Sequence, residues 1–372
     1  MKSKLLKRIL IFSGAAMLVL FLASPFLSLL MPKLAAHSYS ALTFWVIVDK
    51  EVGGAFTAEE KTLKLFGYVR ENIMLPSGSR PYEGRPLDYL INEVGWCDYM
   101  SRVFDCLLAA GGVPARYAML MDKECSLSNH TLNEVFIHGK WAVFDPLTGV
   151  IFRDQLGRYL SLQEISDHPA FISANYRLSA LERFTGVSSS YYSDKFPLSC
   201  QPRRSEVSLK DLTIFDYLTM GYARLFRDKF SSLYQDAYLF LKTKAFVPDY
   251  NLFYRARNYQ LYYRSDLAKQ HYNALIEEYP HSQYLQDSIF FLSLLYINQD
   301  GNNKAGIDLL EALLLKYPDT KWVAYVNFYL AKAYDKIGNT SQASADYLKA
   351  AQDELGVEVI YRLTREKEES KI

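Results

Sequence analysis

The chain has 372 residues, which is enough for two or three domains. Its 42 Lys and Arg residues nearly balance its 41 Asp and Glu residues, so the formal net charge of +1 gives no electrostatic support for nucleic-acid binding. Four cysteines are too few to make a disulfide scaffold of a chain this long. Composition thus argues against a basic nucleic-acid-binding protein and against a small disulfide-stabilised fold.

The N-terminal segment has the charge pattern of a membrane anchor. Basic residues come first (Lys2, Lys4, Lys7 and Arg8), and an uncharged run from Ile9 to Met31 follows. Such a run can span a bilayer as one tilted helix, with the basic flank in the cytoplasm and the rest of the chain exported. A cleaved signal peptide is the alternative. The run is long for a signal peptide, so we favour an uncleaved single-pass anchor.

Cys97 precedes an amphipathic pattern. The apolar residues that follow it have helical spacing: Met100, Val103, Phe104, Leu107 and Leu108. The pattern predicts a helix with Cys97 in its first turn, where unpaired N–H groups and the helix dipole favour a thiolate. A small buried core residue is the ordinary alternative for an isolated cysteine. Cys106, well inside the same helix, fits that alternative.

A hairpin is predicted after this helix. Residues 132–137 are predicted to form a strand of period two, with Leu132, Glu134 and Phe136 on one side and Asn133, Val135 and Ile137 on the other. His138-Gly139 has the form of a two-residue turn, and 140–145 forms the return strand. With this turn, paired positions sum to 277. His130 and Asp145 then become diagonal neighbours on one sheet face, about 7–8 Å apart at Cα. A register slip of one residue would place them on opposite faces.

Cys97, His130 and Asp145 therefore form a candidate catalytic group. A thiol becomes a good nucleophile when a base takes its proton, and the base works best when a carboxylate orients it. Taken singly, His130 is also compatible with a structural hairpin histidine, and Asp145 with an ordinary turn residue before proline. Their joint occurrence with compatible geometry indicates a cysteine enzyme of the acyl-transfer type.

The same segment resembles the transglutaminase-like superfamily, which has a papain-like fold. The resemblance is carried by these motifs, in the family's order: Gly95-Trp96-Cys97, Gly112-Val113-Pro114-Ala115-Arg116, His130-Thr131-Leu132-Asn133-Glu134-Val135, Gly139-Lys140-Trp141 and Asp145-Pro146. One departure is Thr131-Leu132, where the family usually has Ala-Trp. The close match runs from the cysteine to the aspartate, and the fold is expected to extend over residues 55–190.

The resemblance implies specific roles. Cys97 would be the nucleophile, His130 the general base and acid, and Asp145 the residue that orients the histidine. The oxyanion would be bound by the Cys97 backbone N–H and a second donor, for which Trp96 is a candidate. Arg116 would be structural. No cofactor is expected: there is no acidic run typical of a calcium loop, and Cys97, Cys125 and His130 lack paired zinc spacing.

The chain repeats itself from about residue 250. Ala268, Ala305 and Ala343 recur at intervals of 37 and 38 residues. Other positions follow the same spacing: Tyr272, Leu309 and Tyr347; Leu275, Ala312 and Ala350; Tyr279-Pro280 and Tyr317-Pro318. Each unit is predicted to be two helices with a small residue at their crossing, which resembles tetratricopeptide repeats. The resemblance implies a groove for a protein partner; a packing platform without a ligand is the alternative.

The predicted fold is an α+β papain-like, transglutaminase-like domain, then all-α helical-hairpin repeats, with an N-terminal transmembrane helix. The predicted boundaries are a cytoplasmic tip (1–8), the anchor (9–31), a juxtamembrane linker (32–55), the catalytic domain (56–190), a linker with connecting helices (191–249), the repeats (250–356) and a charged tail (357–372).

The predicted function is cleavage or transfer at a peptide or protein amide through a thioester. The sequence leaves hydrolysis and transamidation both open. A non-catalytic envelope scaffold, with a role in envelope assembly or in export of cell-surface polysaccharide, is the second hypothesis. In an exported chain Cys125 and Cys200 would be free to pair, among other connectivities.

Overall fold

The computed structural model describes residues 23, 25–55, 57–75, 84–92, 94–121, 124–125, 128–176, 202–205 and 213–352. Most of the predicted anchor at 9–31, together with Cys200 and the charged tail at 357–372, lies outside these residues. Within them, no helix combines the length and the apolar character that a membrane crossing requires.

The described helices and strands come in the following order: α1 (Pro32–Val52), α2 (Ala58–Asn72), α3 (Pro86–Asn92), α4 (Cys97–Ala110), β1 (Ala115–Met121), β2 (Ser128–Ile137), β3 (Lys140–Asp145), β4 (Val150–Ile151), α5 (Leu162–Asp167), α6 (Ala170–Tyr176), β5 (Arg203–Ser205), α7 (Ile214–Lys242), α8 (Pro248–Leu261), α9 (Ser265–Glu278), α10 (Leu285–Asn298), α11 (Asn303–Lys316), α12 (Val323–Lys336) and α13 (Thr340–Gln352).

The chain divides into two units. The first consists of Met1–Val46 and Ser208–Phe246, and the second of Ile47–Val207 and Val247–Ile372. In the first unit α1 and α7 pack through stacked rings of Tyr39 and Tyr238, whose centroids are 3.9 Å apart. The buried Asp216 carboxylate accepts a hydrogen bond of 2.7 Å from the Ser38 hydroxyl. Helix α7 is kinked at Arg227, which has a φ of 47°.

Residues 32–55, predicted as a juxtamembrane linker, contain the 21-residue helix α1. Its apolar residues include Leu42 and Ile47, which are fully buried. The helix forms because this apolar run has neighbours on which to pack, as most helices in proteins are stabilised by tertiary contacts. A short apolar run that cannot cross a membrane is therefore a packing surface here.

The described part of the second unit contains an antiparallel sheet with strand order β4-β3-β2-β1-β5. The β2–β3 register runs from Asn133 opposite Phe144 to Ile137 opposite Lys140, which confirms the predicted pairing. His138 and Gly139 both have positive φ, 51° and 78°, as a type I′ hairpin turn requires. Strand β5 lies in the segment predicted as a linker. Its three residues show no alternation of apolar and polar side chains that would predict a strand.

Helix α4 packs on this sheet through aromatic contacts. The Phe66 ring of α2 lies 5.5 Å from that of Phe104 in α4 and 5.3 Å from that of Phe144 in β3, measured between centroids. All three side chains are almost completely buried. This cluster fixes the cysteine-bearing helix against the strand that ends at Asp145.

Three helical hairpins follow: α8 with α9, α10 with α11, and α12 with α13. The predicted helix-pair repeat is therefore present. In its second copy, formed by α10 and α11, the buried positions are shifted by one residue from those predicted. The small residue at its crossing is Gly306, not Ala305: a Cβ on Gly306 would lie 2.3 Å from Ile297 Cγ1. Likewise Leu310 and Leu313, not Leu309 and Ala312, are the fully buried counterparts of Tyr272 and Leu275.

Candidate active site

Cys97 is the first residue of α4, so its sulfur lies at the helix N-terminus, as predicted. Its thiol is free and half-buried. The first N–H groups of a helix lack intrahelical partners, and they make this end favourable for negative charge. Gly95, just before it, is required by packing: an added Cβ would lie 3.0 Å from Tyr99 Cβ and 3.2 Å from Ile73 Cγ2.

His130 and Asp145 are joined by a short hydrogen bond, with Nε2 and Oδ2 2.8 Å apart. Both residues are buried; His130 is 6% exposed and Asp145 is fully inaccessible. The second carboxylate oxygen of Asp145 accepts hydrogen bonds from the backbone N–H groups of Leu147 (3.1 Å) and Thr148 (3.3 Å). The carboxylate is thereby fixed by the turn that follows β3, and it holds the imidazole in one orientation.

The side chain of Cys97 lies close enough to the His130 imidazole to act on its pKa. Burial alone would lower the pKa of His130, but the Asp145 carboxylate, its hydrogen bond to the ring and the Cys97 side chain outweigh it and raise that pKa to about 10. Since Nε2 is used by Asp145, Nδ1 is the ring atom left to face the thiol. The three predicted residues are therefore brought together as sulfur, imidazole and carboxylate in sequence.

A buried polar joint holds α4 against β2. Asn133 Nδ2 donates to the Ser101 carbonyl oxygen (2.9 Å) and to Asp105 Oδ1 (2.6 Å). The Ser101 hydroxyl donates to the Thr131 carbonyl oxygen (3.2 Å). Because Ser101 is one helical turn beyond Cys97 and Thr131 is next to His130, this joint sets the distance between thiol and base.

Sequence reasoning did not assign this joint. One signal in the sequence was the position of Asn133, three residues after His130 in the motif that resembles the family's histidine strand. A second signal was Asp105, which directly follows Phe104 of the apolar stripe; in the structure its carboxylate is buried and accepts a hydrogen bond from Asn133.

The other cysteines differ from Cys97. Burial raises the pKa of the Cys106 thiol to about 12, which keeps it protonated and unreactive at neutral pH. Cys125 is disulfide-bonded, and its predicted partner Cys200 lies outside the described residues. In the part of the chain that the structure describes, no three His, Cys, Asp or Glu residues are arranged to hold a metal.

Arg116 has structural contacts. Its guanidinium lies 4.0 Å above the Trp141 ring, and its Nε donates to Glu134 Oε2 at 2.9 Å. Arg204 of β5 donates to the same buried oxygen at 2.6 Å. These contacts link β1, β2, β3 and β5. Trp96, the candidate second oxyanion donor, is the half-buried N-cap residue of α4, and its side chain makes no capping hydrogen bond.

Residues 47–146 match the sequence model of the transglutaminase-like superfamily, and residues 250–282 match that of the tetratricopeptide repeat. The first match contains Cys97, His130 and Asp145, and the second covers all of α9 and all but the first two residues of α8. Neither the curated proteins nor the solved structures gave a significant match to the chain. The chain thus contains a transglutaminase-like domain and a tetratricopeptide repeat, a fold used for protein–protein interaction.

Proposed function

We propose that the chain is a cysteine-dependent acyl-transfer enzyme acting on peptide or protein amides. The observation that carries the proposal is the His130 imidazole, which bridges the Cys97 thiol and the Asp145 carboxylate inside a buried site. A raised pKa of His130 supports a thiolate–imidazolium pair, which is the reactive state of such a nucleophile.

In the proposed reaction, Cys97 Sγ transfers its proton to His130 Nδ1 and attacks the amide carbonyl carbon. The C–N bond breaks as Nδ1 returns that proton to the leaving amine, which leaves an acyl thioester on Cys97. Water or a second amine then attacks the thioester, with His130 again accepting and returning the proton. Asp145 holds Nε2–H throughout, and the first N–H groups of α4 stabilise the oxyanion.

The proposed reaction can be tested without knowing the substrate. With p-nitrophenyl acetate, an activated ester, we expect a burst of nitrophenolate equal to the enzyme present and one acetyl group on Cys97 by peptide mass spectrometry. Cys97→Ala abolishes the burst, and His130→Ala slows it by about 10²-fold. Cys106→Ala is the matched control and keeps the full burst, because that thiol lies outside the site.

A different result would favour the second hypothesis, a scaffold. No burst, together with iodoacetamide labelling of Cys97 at the rate of an ordinary thiol whether or not His130 is present, would mean that the three residues do not act together. The transglutaminase-like domain would then serve as a binding module, and a protein partner on the repeats would be the main activity to seek.

We also propose that the chain is anchored in a membrane with its bulk on the non-cytoplasmic side. The basic residues before the uncharged run at 9–31 support this orientation. The disulfide at Cys125 supports an oxidising compartment, since cytosolic thiols are kept reduced. Helix α7 adds a further argument: in the first unit it leaves Leu225, Leu233 and Phe240 more than half exposed. Apolar surface of this kind suits a lipid interface.

A further inference from the structure

The repeats are hydrogen-bonded to the transglutaminase-like domain through Arg257 of α8. This arginine is fully buried, and its guanidinium lies 4.3 Å from the Phe291 ring of α10. Its Nε donates to the Ile91 carbonyl oxygen at 2.7 Å and its Nη2 to the Leu90 carbonyl oxygen at 2.9 Å. Both carbonyls lie in the last turn of α3, where a cation is favoured by the helix dipole.

A second connection comes from α12. The hydroxyl of Tyr325 accepts a hydrogen bond of 2.5 Å from the Leu75 backbone N–H. Both residues are buried. Met74, the residue before Leu75, contacts the loop that leads to Cys97. It forms a β-bridge with Val94, and its carbonyl oxygen accepts a hydrogen bond of 2.9 Å from the Gly95 N–H. Tyr325 is therefore two hydrogen bonds away from the backbone that enters α4.

Helix α3 also contacts the cysteine helix directly. The Tyr89 ring of α3 stacks on that of Tyr99 in the first turn of α4, with centroids 4.1 Å apart. Tyr99 in turn touches the position of Gly95, where no Cβ fits. The carbonyl groups that Arg257 binds belong to Leu90 and Ile91, the two residues after Tyr89. The repeats thus hold both segments that border Cys97, namely α3 and residues 73–75.

We propose that Arg257 and Tyr325 are positioning residues for Cys97, and that the face formed by α8 and α12 binds this chain's own catalytic domain. On this reading the repeats are part of the active-site wall, and an external partner would have to use a different surface of the stack. The proposal rests on the proposed function for its catalytic consequence, but not for its structural one.

The test uses the full chain and two readouts. Iodoacetamide labelling of Cys97 across pH measures the thiol, and hydrogen exchange of a peptide covering 94–100 measures the loop. For Arg257→Met we expect labelling near neutral pH to slow by about tenfold and exchange at 94–100 to rise. Arg257→Lys keeps the charge but loses the planar guanidinium that donates to two carbonyl oxygens, and its effect on both readouts should be intermediate. Tyr325→Phe removes one hydroxyl and should also raise exchange at 94–100.

Two controls separate positioning from general loss of stability. Tyr329→Phe removes a hydroxyl that donates a long hydrogen bond of 3.4 Å to the Glu71 carbonyl oxygen, outside α3 and residues 73–75, and it should leave both readouts unchanged. Gly306→Ala disturbs the repeats away from α3, and it should lower the melting temperature without altering Cys97 labelling in the folded chain.

The outcomes distinguish this proposal from the proposed function. If wild-type Cys97 labels as an ordinary thiol but Arg257→Met and Tyr325→Phe still raise exchange at 94–100, the proposed enzymatic activity is contradicted and the positioning role is supported. If wild-type Cys97 is activated and neither variant alters labelling or exchange beyond the controls, the positioning role is overturned.

Discussion

His130 is the residue whose ionisation gives the fold its clearest pH dependence. Its pKa is raised from the ordinary 6.5 to about 10 in the folded chain, chiefly by Asp145 acting against burial. A group with a raised folded pKa contributes its full stabilisation below the unfolded value and loses it as the pH rises through the folded value. We therefore expect the free energy of unfolding to fall by at least about 1 kcal/mol between pH 6.5 and 10.

Urea titrations at several pH values measure this loss. Asp145→Asn is the matched variant, because it keeps the shape of the side chain and removes the charge that raises the His130 pKa. Its unfolding free energy should be lower at pH 6.5 and nearly flat up to pH 10. A slope in Asp145→Asn equal to that of the wild type would assign the pH dependence to other groups.

Asn133 joins the cysteine helix to the histidine strand, and its loss should be costly. Asn133→Ala removes the hydrogen bond to the buried Asp105 carboxylate and one to the Ser101 carbonyl oxygen. We expect a loss of about 2–3 kcal/mol in unfolding free energy, since buried polar groups are left without this donor.

Gln163→Ala provides the comparison for Asn133→Ala. Gln163 also donates its amide to a carboxylate, that of Asp167 at 2.8 Å, but on an exposed surface. It should change stability by less than about 0.5 kcal/mol. Chemical denaturation of both variants tests the difference, and equal losses would show that the buried joint adds nothing to the fold.

Among the elements, the hairpin was the most predictable and for a clear reason. The His138-Gly139 turn fixes its register, because a two-residue turn with two positive φ values permits only one pairing. Once the register is set, the proximity of His130 and Asp145 follows. The contact with Cys97 was accessible only through the family motifs, since periodicity does not orient α4 against β2.

The second repeat shows where spacing arguments lose accuracy. An alanine at 305 suited the pattern, but the neighbouring glycine lies at the crossing because Ile297 leaves no room for a Cβ. The repeat period alone does not show which of two adjacent small residues lies at the helix crossing. The buried Arg257 was also beyond prediction, because its partners are backbone carbonyls more than 160 residues away in sequence.

Helix α11 should therefore depend on Gly306. In Gly306→Ala the new methyl group would meet Ile297 Cγ1 at 2.3 Å and Cδ1 at 2.9 Å, so the α10–α11 crossing must open. We expect a loss of about 1–3 kcal/mol, as for other overpacked sites. Gly221→Ala is the control, since nothing lies within 4 Å of its added Cβ and it gains helix propensity. Thermal unfolding should shift down for the first variant and not for the second.

At the scale of the whole molecule, the proposed anchor and the apolar face of α7 predict two separable modes of membrane association. Leu18→Lys with Leu20→Lys places charges in the run at 9–31, at a cost of about 3 kcal/mol each at a bilayer centre. We expect this chain to be released by an alkaline wash that leaves the wild type in the membrane. If it stays as firmly bound as the wild type, the run is not the anchor.

The face of α7 is tested in that anchor-disabled chain. Leu233 and Phe240 are 58% and 59% exposed, with Lys244 4.4 Å from the Phe240 ring. An apolar face bordered by lysines binds anionic lipid surfaces, so Leu233→Gln with Phe240→Gln should lower binding to vesicles containing phosphatidylserine by about tenfold. Leu315→Gln removes a side chain that is 89% exposed in the second unit and should leave binding unchanged. Equal losses from both changes would mean that general hydrophobicity, and not α7, directs the chain to lipid.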